Sequence, residues 1–217
     1  MLFDLHVHTD ISPCSRLSLE DTVNIARSRG LDGICITDHD TMAVSGLMRE
    51  GVQPNGLVVL FGMEYATPDG DLLLFGPYES LAPGLSAREV LDLVEHTRGA
   101  AVAAHPRRPG RSASDWIFRE YPKVLVECLN GRTPRAANHK ARAIAERHSL
   151  ATVGGSDAHT PQELGRVGTL FTDPILSRDH LIDALRRGDC IPRLLDRSPQ
   201  AFPASTYPAP ADHRHRL

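Results

Sequence analysis

Short apolar segments alternate along the chain with longer segments in which apolar residues recur every three or four positions. The short segments predict eight β-strands, at residues 3–7, 33–37, 57–61, 72–75, 100–104, 124–128, 151–154 and 169–171. The longer segments predict four helices, at residues 18–29, 86–99, 134–149 and 177–188. This alternation is typical of repeated βα units around a parallel sheet, so the sequence predicts an α/β fold.

Capping residues support the first two helices. Ser18 precedes the first helix as a candidate N-cap, and Gly30 follows it. Ser86 and Glu89 have the spacing of a capping box, and Gly99 is a stop signal at the end of that helix.

The composition fits one folded domain with a short tail. The chain has 217 residues, of which 41% are hydrophobic and 24% are charged, enough to bury one sizeable core. We expect a single domain over residues 1–196. Residues 197–217 are rich in Pro, Ala and Ser without apolar periodicity, and they predict a flexible or loosely docked tail. His213 and His215 lie there and are interpreted as solvated residues.

The charge and the cysteine content limit the binding partners and the cellular compartment to be expected. The net charge of −3 gives no global reason to expect duplex nucleic acid or a membrane as partner. The four cysteines are scattered without a C-x-x-C pair, which favours a reducing compartment over a disulfide framework. The sequence shows neither a signal-peptide pattern nor an apolar run of membrane-spanning length. We therefore expect a cytoplasmic protein, and the sequence does not predict its oligomeric state.

Polar residues collect where the predicted strands end. In parallel βα folds this is where loops carry function. The residues at six strand ends are His6 and His8; Asp38, His39 and Asp40; Glu64; His105; Glu127; and Asp157 and His159.

Imidazoles and carboxylates are the ligands that bind zinc, manganese or iron at neutral pH. His6 and His8 alternate with Val7, so both point to one face of their strand. Polar residues can occur at strand ends without any function, but this alternative accounts for one or two of the six strand ends rather than for all of them. The pattern therefore favours a site with several metal ions. Glu64 is a candidate bridge that would hold two cations about 3.5–4 Å apart and lower the pKa of a shared water.

At these residues the sequence resembles the polymerase and histidinol phosphatase (PHP) superfamily. The resemblance runs through "FDLHVHT", "ITDHDT", "GMEY", "AHP", "VECLNGR" and "GGSDAHT". It implies a distorted, TIM-like (β/α)7 barrel, two or three divalent metal ions (zinc, manganese or iron) and cleavage of phosphate esters. It also implies three metal positions: His6, His8, Glu64 and Asp157; Glu64, His105 and Glu127; and His39 with His159.

Two positions leave the ligand set open. Many relatives carry an Asp or His five or six residues after the His-x-His-Thr stretch, where this chain has Pro13 and Cys14. Cys14 is either a thiolate ligand or a structural residue, and the third ion is either present, weak or absent. The second metal position takes either Glu127 or Asn130.

The expected chemistry is in-line attack of a metal-bound hydroxide on phosphorus. Candidates for proton delivery are Asp38, Asp40 and His159, although Asp38 is better interpreted as orienting a ligand imidazole. Candidates for phosphate binding are Arg107, Arg108 and Arg132, each of which has solvation as its alternative. Residues 107–118 form either a lid over the site or the start of a helix on the barrel.

The leading hypothesis is a phosphoesterase, a phosphatase or phosphodiesterase, acting on a small phosphorylated metabolite or a short nucleotide. The same metal chemistry also serves amide or ester hydrolysis. A third alternative is a noncatalytic module whose ions only stabilise the fold. Processing of nucleic-acid ends is less favoured, because aromatic residues are only 5% of the chain and no basic stripe is visible.

Overall fold

The computed structural model describes residues 1–195. The predicted tail at 197–217, with His213 and His215, lies outside the described residues. The division of the chain at residue 196 therefore stays a prediction.

The described chain has five α-helices, one 3-10 helix and eleven strands. The helices are α1 (Leu19–Ser28), α2 (Ala87–Thr97), α3 (Asp115–Glu120), α4 (Arg135–His148) and α5 (Arg178–Arg187), with the 3-10 helix at Ala43–Gly46. The strands are β1 (Leu2–Val7), β2 (Gly33–Ile36), β3 (Gly51–Val52), β4 (Val58–Phe61), β5 (Met63–Thr67), β6 (Gly70–Phe75), β7 (Ala100–Ala103), β8 (Leu125–Asn130), β9 (Thr152–Gly155), β10 (Val167–Phe171) and β11 (Cys190–Leu194). None of the helices within residues 1–195 combines the length and apolar character that a membrane crossing requires.

The strands form two mixed sheets. The six-stranded sheet has the order β11-β10-β1-β2-β4-β3, and the five-stranded sheet has the order β5-β6-β7-β8-β9. Each sheet contains a parallel core, β1-β2-β4 in the first and β7-β8-β9 in the second. The remaining pairs are antiparallel. The α/β prediction is confirmed in this mixed form.

The closed barrel is not confirmed for residues 1–195. The two sheets meet through isolated bridges at Val7–Ala158 and His39–Glu64, which are too short to continue the strand ladder from one sheet into the other. One reason is the β5-β6 hairpin, whose antiparallel strands replace a βα unit. The other is the antiparallel β10-β11 pair, which ends the first sheet beside β1.

The helix boundaries follow the capping residues of the sequence. Ser18 accepts a hydrogen bond from the Asp21 amide at the start of α1. Ser86 and Glu89 form the predicted capping box at the start of α2, which satisfies backbone N–H groups that a helix leaves free. The predicted starts of α1 and α2 are confirmed.

Apolar side chains form two buried clusters. The larger one packs helices α1 to α4 against the sheets. The second contains residues of both sheets, among them Leu5 and Val102, together with Leu181 of α5. Its apolar contacts hold the two sheets together, and the polar strand ends lie where these sheets meet.

Candidate metal centre

The polar residues predicted at the strand ends converge in the structure. His6 belongs to β1 and His8 follows it, while Glu64 belongs to β5 of the other sheet. His105 follows β7, and Asp157 follows β9. All five side chains are buried, so their polar atoms must be satisfied by one another or by a ligand.

Glu64 lies in the middle of the cluster. Its Oε2 atom is 3.3 Å from His6 Nε2, 3.2 Å from His8 Nε2 and 3.1 Å from His39 Nδ1. Its Oε1 atom is 2.8 Å from His105 Nε2. One carboxylate therefore faces four imidazoles that come from both sheets.

Asp157 closes the cluster from the β9 side. Its Oδ1 atom lies 3.6 Å from His6 Nε2 and 3.4 Å from His8 Nε2. The backbone of Asp157 has φ of 56°, a conformation that is uncommon outside glycine and marks constrained sites. His159 Nδ1 lies 2.9 Å from the Asp157 carbonyl oxygen, which fixes the orientation of that ring.

Three groups of donor atoms have the mutual spacing that a metal ion requires. Within each group the donor atoms lie within 4.8 Å of one another. The groups are His6, His8 and Asp157; His6, Glu64 and His105; and His8, His39 and His159. They share His6 and His8, as expected for ions that neighbour one another.

The donor distances are compatible with ion binding. His6 Nε2 and His8 Nε2 are 3.0 Å apart, and both face the carboxylates of Glu64 and Asp157. Ligand atoms about 2.0–2.2 Å from one zinc ion stand roughly 3–3.6 Å from each other. The Nδ1 atoms of His8 and His105 are buried without a hydrogen-bond partner in the described chain, which is costly in a site without a further ligand. The residues present therefore fit a divalent cation.

The protonation of the cluster also reflects an excess of negative charge. Burial disfavours a charged His6, but Glu127 and Asp157 outweigh burial and hold the pKa of His6 well above its usual value. Burial likewise opposes ionisation of Asp157, yet the charge on His6 lowers the pKa of Asp157 below its ordinary range. A bound cation would neutralise these carboxylates in place of the imidazole proton, so ion binding would release protons.

His159 differs from His6 in its charge state. Burial and the neighbouring positive charge of His8 lower the pKa of His159 to about 4. A neutral imidazole is the form that ligates a metal. Of its two expected roles, His159 is therefore better suited to ion binding than to proton delivery.

Glu127 lies beside the cluster and is held by hydrogen bonds. Its Oε1 atom is 2.9 Å from His6 Nδ1. Its Oε2 atom accepts from the His105 backbone amide at 2.7 Å and from Asn130 Nδ2 at 2.9 Å. Both oxygens are thus engaged, and Glu127 orients His6 in the way that ligand imidazoles are commonly oriented by carboxylates.

Asp38 organises the loop after β1. Its oxygens accept from the Thr9 backbone amide at 2.8 Å, from Thr9 Oγ1 at 2.7 Å and from Ser12 Oγ at 2.6 Å. Ser12 Oγ in turn accepts from the His39 backbone amide at 3.1 Å. Asp38 therefore acts on His39 through the backbone, rather than on an imidazole ring or on a reacting atom. Asp40 accepts from the Ala66 amide at 2.8 Å and ties this loop to β5.

The three predicted arginines occupy different surroundings. Arg108 reaches the cluster, where its guanidinium pairs with Asp157 and donates to Asn130 Oδ1 at 2.8 Å. Arg132 lies at the rim, 40% exposed, with its Nε atom 3.3 Å from Glu163 Oε1. Arg107 turns away to pair with Asp115 of α3, so the structure does not bring Arg107 to the cluster.

Pro13 and Cys14 lie on the exposed surface. The Cys14 sulfur belongs to none of the three donor groups found among residues 1–195. Partial burial and the negative charge of Glu64 raise the pKa of the Cys14 thiol, which disfavours the thiolate that a metal needs. Ligation by Cys14 therefore has no support in the geometry.

Sequence reasoning missed an ion pair on the His105 side of the cluster. Asp71 is buried on β6, and its Oδ2 atom lies 4.0 Å from His105 Nε2. Arg111 donates to both Asp71 oxygens at 2.8 Å while its side chain stays 51% exposed. The only sequence signal was the third arginine of "RRPGR", whose direction depends on the turn at Gly110.

The segment at 107–118 is largely structural. Residues from Asp115 onward form α3, in which Ile117 and Phe118 are buried. Trp116 Nε1 donates to Asp69 Oδ1 at 3.0 Å, so the indole is tied to the β5-β6 turn. The helical alternative is confirmed for this part of the segment.

The mixed α/β fold holds a centre of imidazoles and carboxylates that can bind metal ions. The chain belongs to the PHP family: the family model described as the PHP domain matches residues 4–147. A second model, described as PHP-associated, matches residues 135–190. The resemblance inferred from the sequence motifs is thereby confirmed.

A curated relative and several solved structures are similar to the chain. The uncharacterized protein MJ1587 of Methanocaldococcus jannaschii is 30% identical over 129 residues, which are 54% of this chain and 75% of that protein. The crystal structure of PsfC from Pseudomonas syringae PB-5123 has a TM-score of 0.68 at 22% identity, covering 86% of this chain and 93% of that chain.

Two further structures share the fold. A protein from Bifidobacterium adolescentis ATCC 15703, assigned as a metal-dependent phosphoesterase, has a TM-score of 0.58 at 19% identity and covers 85% of this chain and 96% of that chain. The lesion-specific endonuclease PfuEndoQ from Pyrococcus furiosus has a TM-score of 0.60 at 17% identity, covering 86% of this chain and 56% of that chain. The expectation that duplex nucleic acid is not a partner stays a prediction, and the fold shared with PfuEndoQ gives it no support.

Proposed function

We propose that the protein is a phosphoesterase that hydrolyses a phosphate ester of a small metabolite or a short nucleotide. The reaction depends on two or three divalent ions, which are zinc, manganese or iron because the donors are imidazoles and carboxylates. When bound, such ions supply an activated water and stabilise negative charge on the phosphoryl oxygens. A small phosphorylated compound is the proposed partner, and the cytoplasm is the proposed compartment.

The position of Glu64 carries the proposal. One buried carboxylate faces four imidazole nitrogens at 2.8–3.3 Å, through both of its oxygens. A carboxylate in that position can bridge two neighbouring ions, which is the arrangement used for in-line phosphoryl transfer.

Arg108 supplies the phosphate contact. Its side chain is 23% exposed and is fixed by Asp157, Asn130 and Thr133. A guanidinium held in this way can present its remaining N–H groups to phosphate oxygens without a large loss of conformational entropy. Arg132 at the rim offers a second, more exposed cation.

The comparisons support the same class of reaction. The family is PHP, and a structure with the same fold is assigned as a metal-dependent phosphoesterase. We therefore place phosphate esters ahead of amides and carboxylic esters as substrates.

The test combines elemental analysis with a screen of phosphomonoesters, phosphodiesters, amides and lactones. We expect turnover of a phosphate ester that is lost on chelation and restored by one of the three metals. In His8→Ala and Asp157→Ala, turnover should fall by about 10³-fold, and metal content should fall with it. His96→Ala, which changes an exposed histidine of α2, is the matched control.

The outcomes separate the alternatives. Hydrolysis confined to amides or lactones would replace the proposed substrate class. Bound metal without turnover of any of these substrates would favour a noncatalytic, metal-stabilised module. Full activity in both His8→Ala and Asp157→Ala would refute the assignment of the centre.

A further inference from the structure

A groove of about 430 Å³ lies outside the metal centre, between α4 and the paired ends of β10 and β11. It is lined by residues of β8 and the following loop, one face of α4, and two aliphatic residues of the sheet edge. These are Cys128, Leu129, Asn130, Gly131, Thr133, Arg135, Asn138, His139, Arg142, Val167 and Leu194. Its volume is within the range of sites for small molecules.

The α4 side of the groove is basic. Arg135, His139 and Arg142 recur at helical spacing and share one face of α4. All three are exposed, and within residues 1–195 none of them has an ion pair or a side-chain hydrogen bond. No carboxylate belongs to the lining formed by the described chain, so the positive charge is not neutralised there.

The opposite side of the groove is apolar. Leu129 and Val167 form part of this wall, and Leu194 continues it with 69% of its surface exposed. An exposed leucine at the end of an edge strand is apolar surface that a ligand can cover. The groove therefore pairs cations on one side with aliphatic carbon on the other.

We infer that this groove binds a small amphipathic anion, with a phosphate or carboxylate head on the α4 arginines and an aliphatic body against Leu129, Val167 and Leu194. Guanidinium groups bind both kinds of head through paired N–H donors. The described lining has no Phe, Tyr or Trp, which favours an aliphatic body over a stacked base. The site does not depend on the proposed hydrolase activity.

The groove adjoins the metal centre at Asn130, which lines the groove. Asn138, in the groove, accepts from the Asn130 amide at 3.2 Å and donates to the Asn130 carbonyl at 3.0 Å. The side chain of Asn130 contacts Glu127 and Arg108. The two sites therefore share Asn130 and Thr133, which also hold Arg108, whereas the amides of α4 report on the groove alone.

The experiment is a titration of the zinc-loaded, full-length protein with hexylphosphonate, followed residue by residue through amide NMR shifts. We expect saturable shifts in residues 131–142. Arg135→Gln/Arg142→Gln should weaken this binding about tenfold or more, because two charge-assisted contacts are lost. Lys140→Gln/Arg147→Gln, on a different exposed face of the same helix and outside the lining, should leave it unchanged.

Shorter and differently charged probes test the two halves of the inference. Methylphosphonate should bind many-fold more weakly, since each buried methylene contributes about a fourfold gain in affinity. Heptanoate tests the carboxylate head, and saturable binding of either long probe supports the inference. Shifts confined to the metal centre, equal binding by Arg135→Gln/Arg142→Gln, or equal affinity for the short and long phosphonates would overturn it.

Discussion

The two sides of the metal centre use buried carboxylates differently. On the side of β1 and β5, Glu64 faces ring nitrogens only, at 2.8–3.3 Å. On the side of β8, Glu127 accepts hydrogen bonds from a backbone amide and from the Asn130 side chain, besides its contact with His6. The donors around Glu64 are imidazole rings, which can lose their protons. Glu127 also accepts from a backbone amide and a side-chain amide, which keep theirs.

We propose that this difference distinguishes a metal ligand, Glu64, from a residue that positions one, Glu127. A cation can replace the imidazole protons around Glu64 without leaving any donor unpaired. The same replacement at Glu127 would strand the buried amide of His105, which costs free energy. The identity of the donors around a carboxylate is thus a better guide to its role than its residue type.

Matched substitutions of the two carboxylates test this comparison most directly. Glu64→Gln removes the central charge and should lower metal content and reduce turnover by about 10³-fold. Glu127→Gln keeps the ligands and should cost about 10–100-fold in metal affinity or turnover. Both are measured by elemental analysis and steady-state kinetics. Equal losses in the two variants would contradict the distinction.

A side chain at Gly155 would crowd the part of the metal centre that contains Glu127. A Cβ at this position would lie 2.4 Å from His6 Cβ and 2.9 Å from Glu127 Oε1. Gly155→Ala should lower the free energy of unfolding by about 1–3 kcal/mol and weaken metal binding as well. Gly46→Ala, where a Cβ meets nothing within 4 Å, should stay within about 0.5 kcal/mol. Denaturant unfolding of both variants checks the difference.

The pH dependence of the metal-free protein tests the charge on His6. The pKa of His6 is raised in the folded state, so protonation of His6 stabilises the folded protein. This stabilisation is fully present below about pH 6.5, and it is lost as the pH rises through the raised pKa. The slope for this one proton reaches about 1.4 kcal/mol per pH unit. Unfolding in urea should show this loss after chelation and not after zinc loading. A flat profile in chelated protein would contradict the electrostatic account.

The adjacent arginines provide the smallest expected effect. Arg108→Gln removes the cation beside Asp157 and should raise KM for a phosphate substrate about tenfold. Arg107→Gln breaks an ion pair with Asp115 on the surface of α3, and it should change KM less than twofold. Steady-state kinetics of the two variants decides whether proximity to the centre matters, and similar KM values would remove Arg108 from the phosphate site.

Much of the centre could be predicted because strand ends are visible in the sequence. His6, His8 and Glu64 follow or end apolar runs, and parallel strands bring their ends together. The resemblance to the PHP family supplied the grouping of these ligands, and family membership is confirmed.

The remaining features depend on tertiary structure that local patterns do not encode. Arg107 and Arg108 are neighbours in the sequence, yet the turn after His105 sends them to different sides of the loop. Glu64 and Glu127 both follow apolar runs in the sequence, and only the surrounding donors separate their roles. The closed barrel was implied by the family resemblance, and the predicted strands included none at residues 63–67, where β5 pairs with β6 in an antiparallel hairpin.

The chain crosses from one sheet to the other, and back again, next to the metal centre. Residues 63–155 form the entire five-stranded sheet as one insertion into the six-stranded sheet. Glu64 lies just after the chain enters this insertion, and Asp157 lies just after it leaves. An ion held between them would act as a non-covalent cross-link where the inserted segment begins and ends. Its removal is therefore expected to loosen the five-stranded sheet as a unit rather than to fray a single edge.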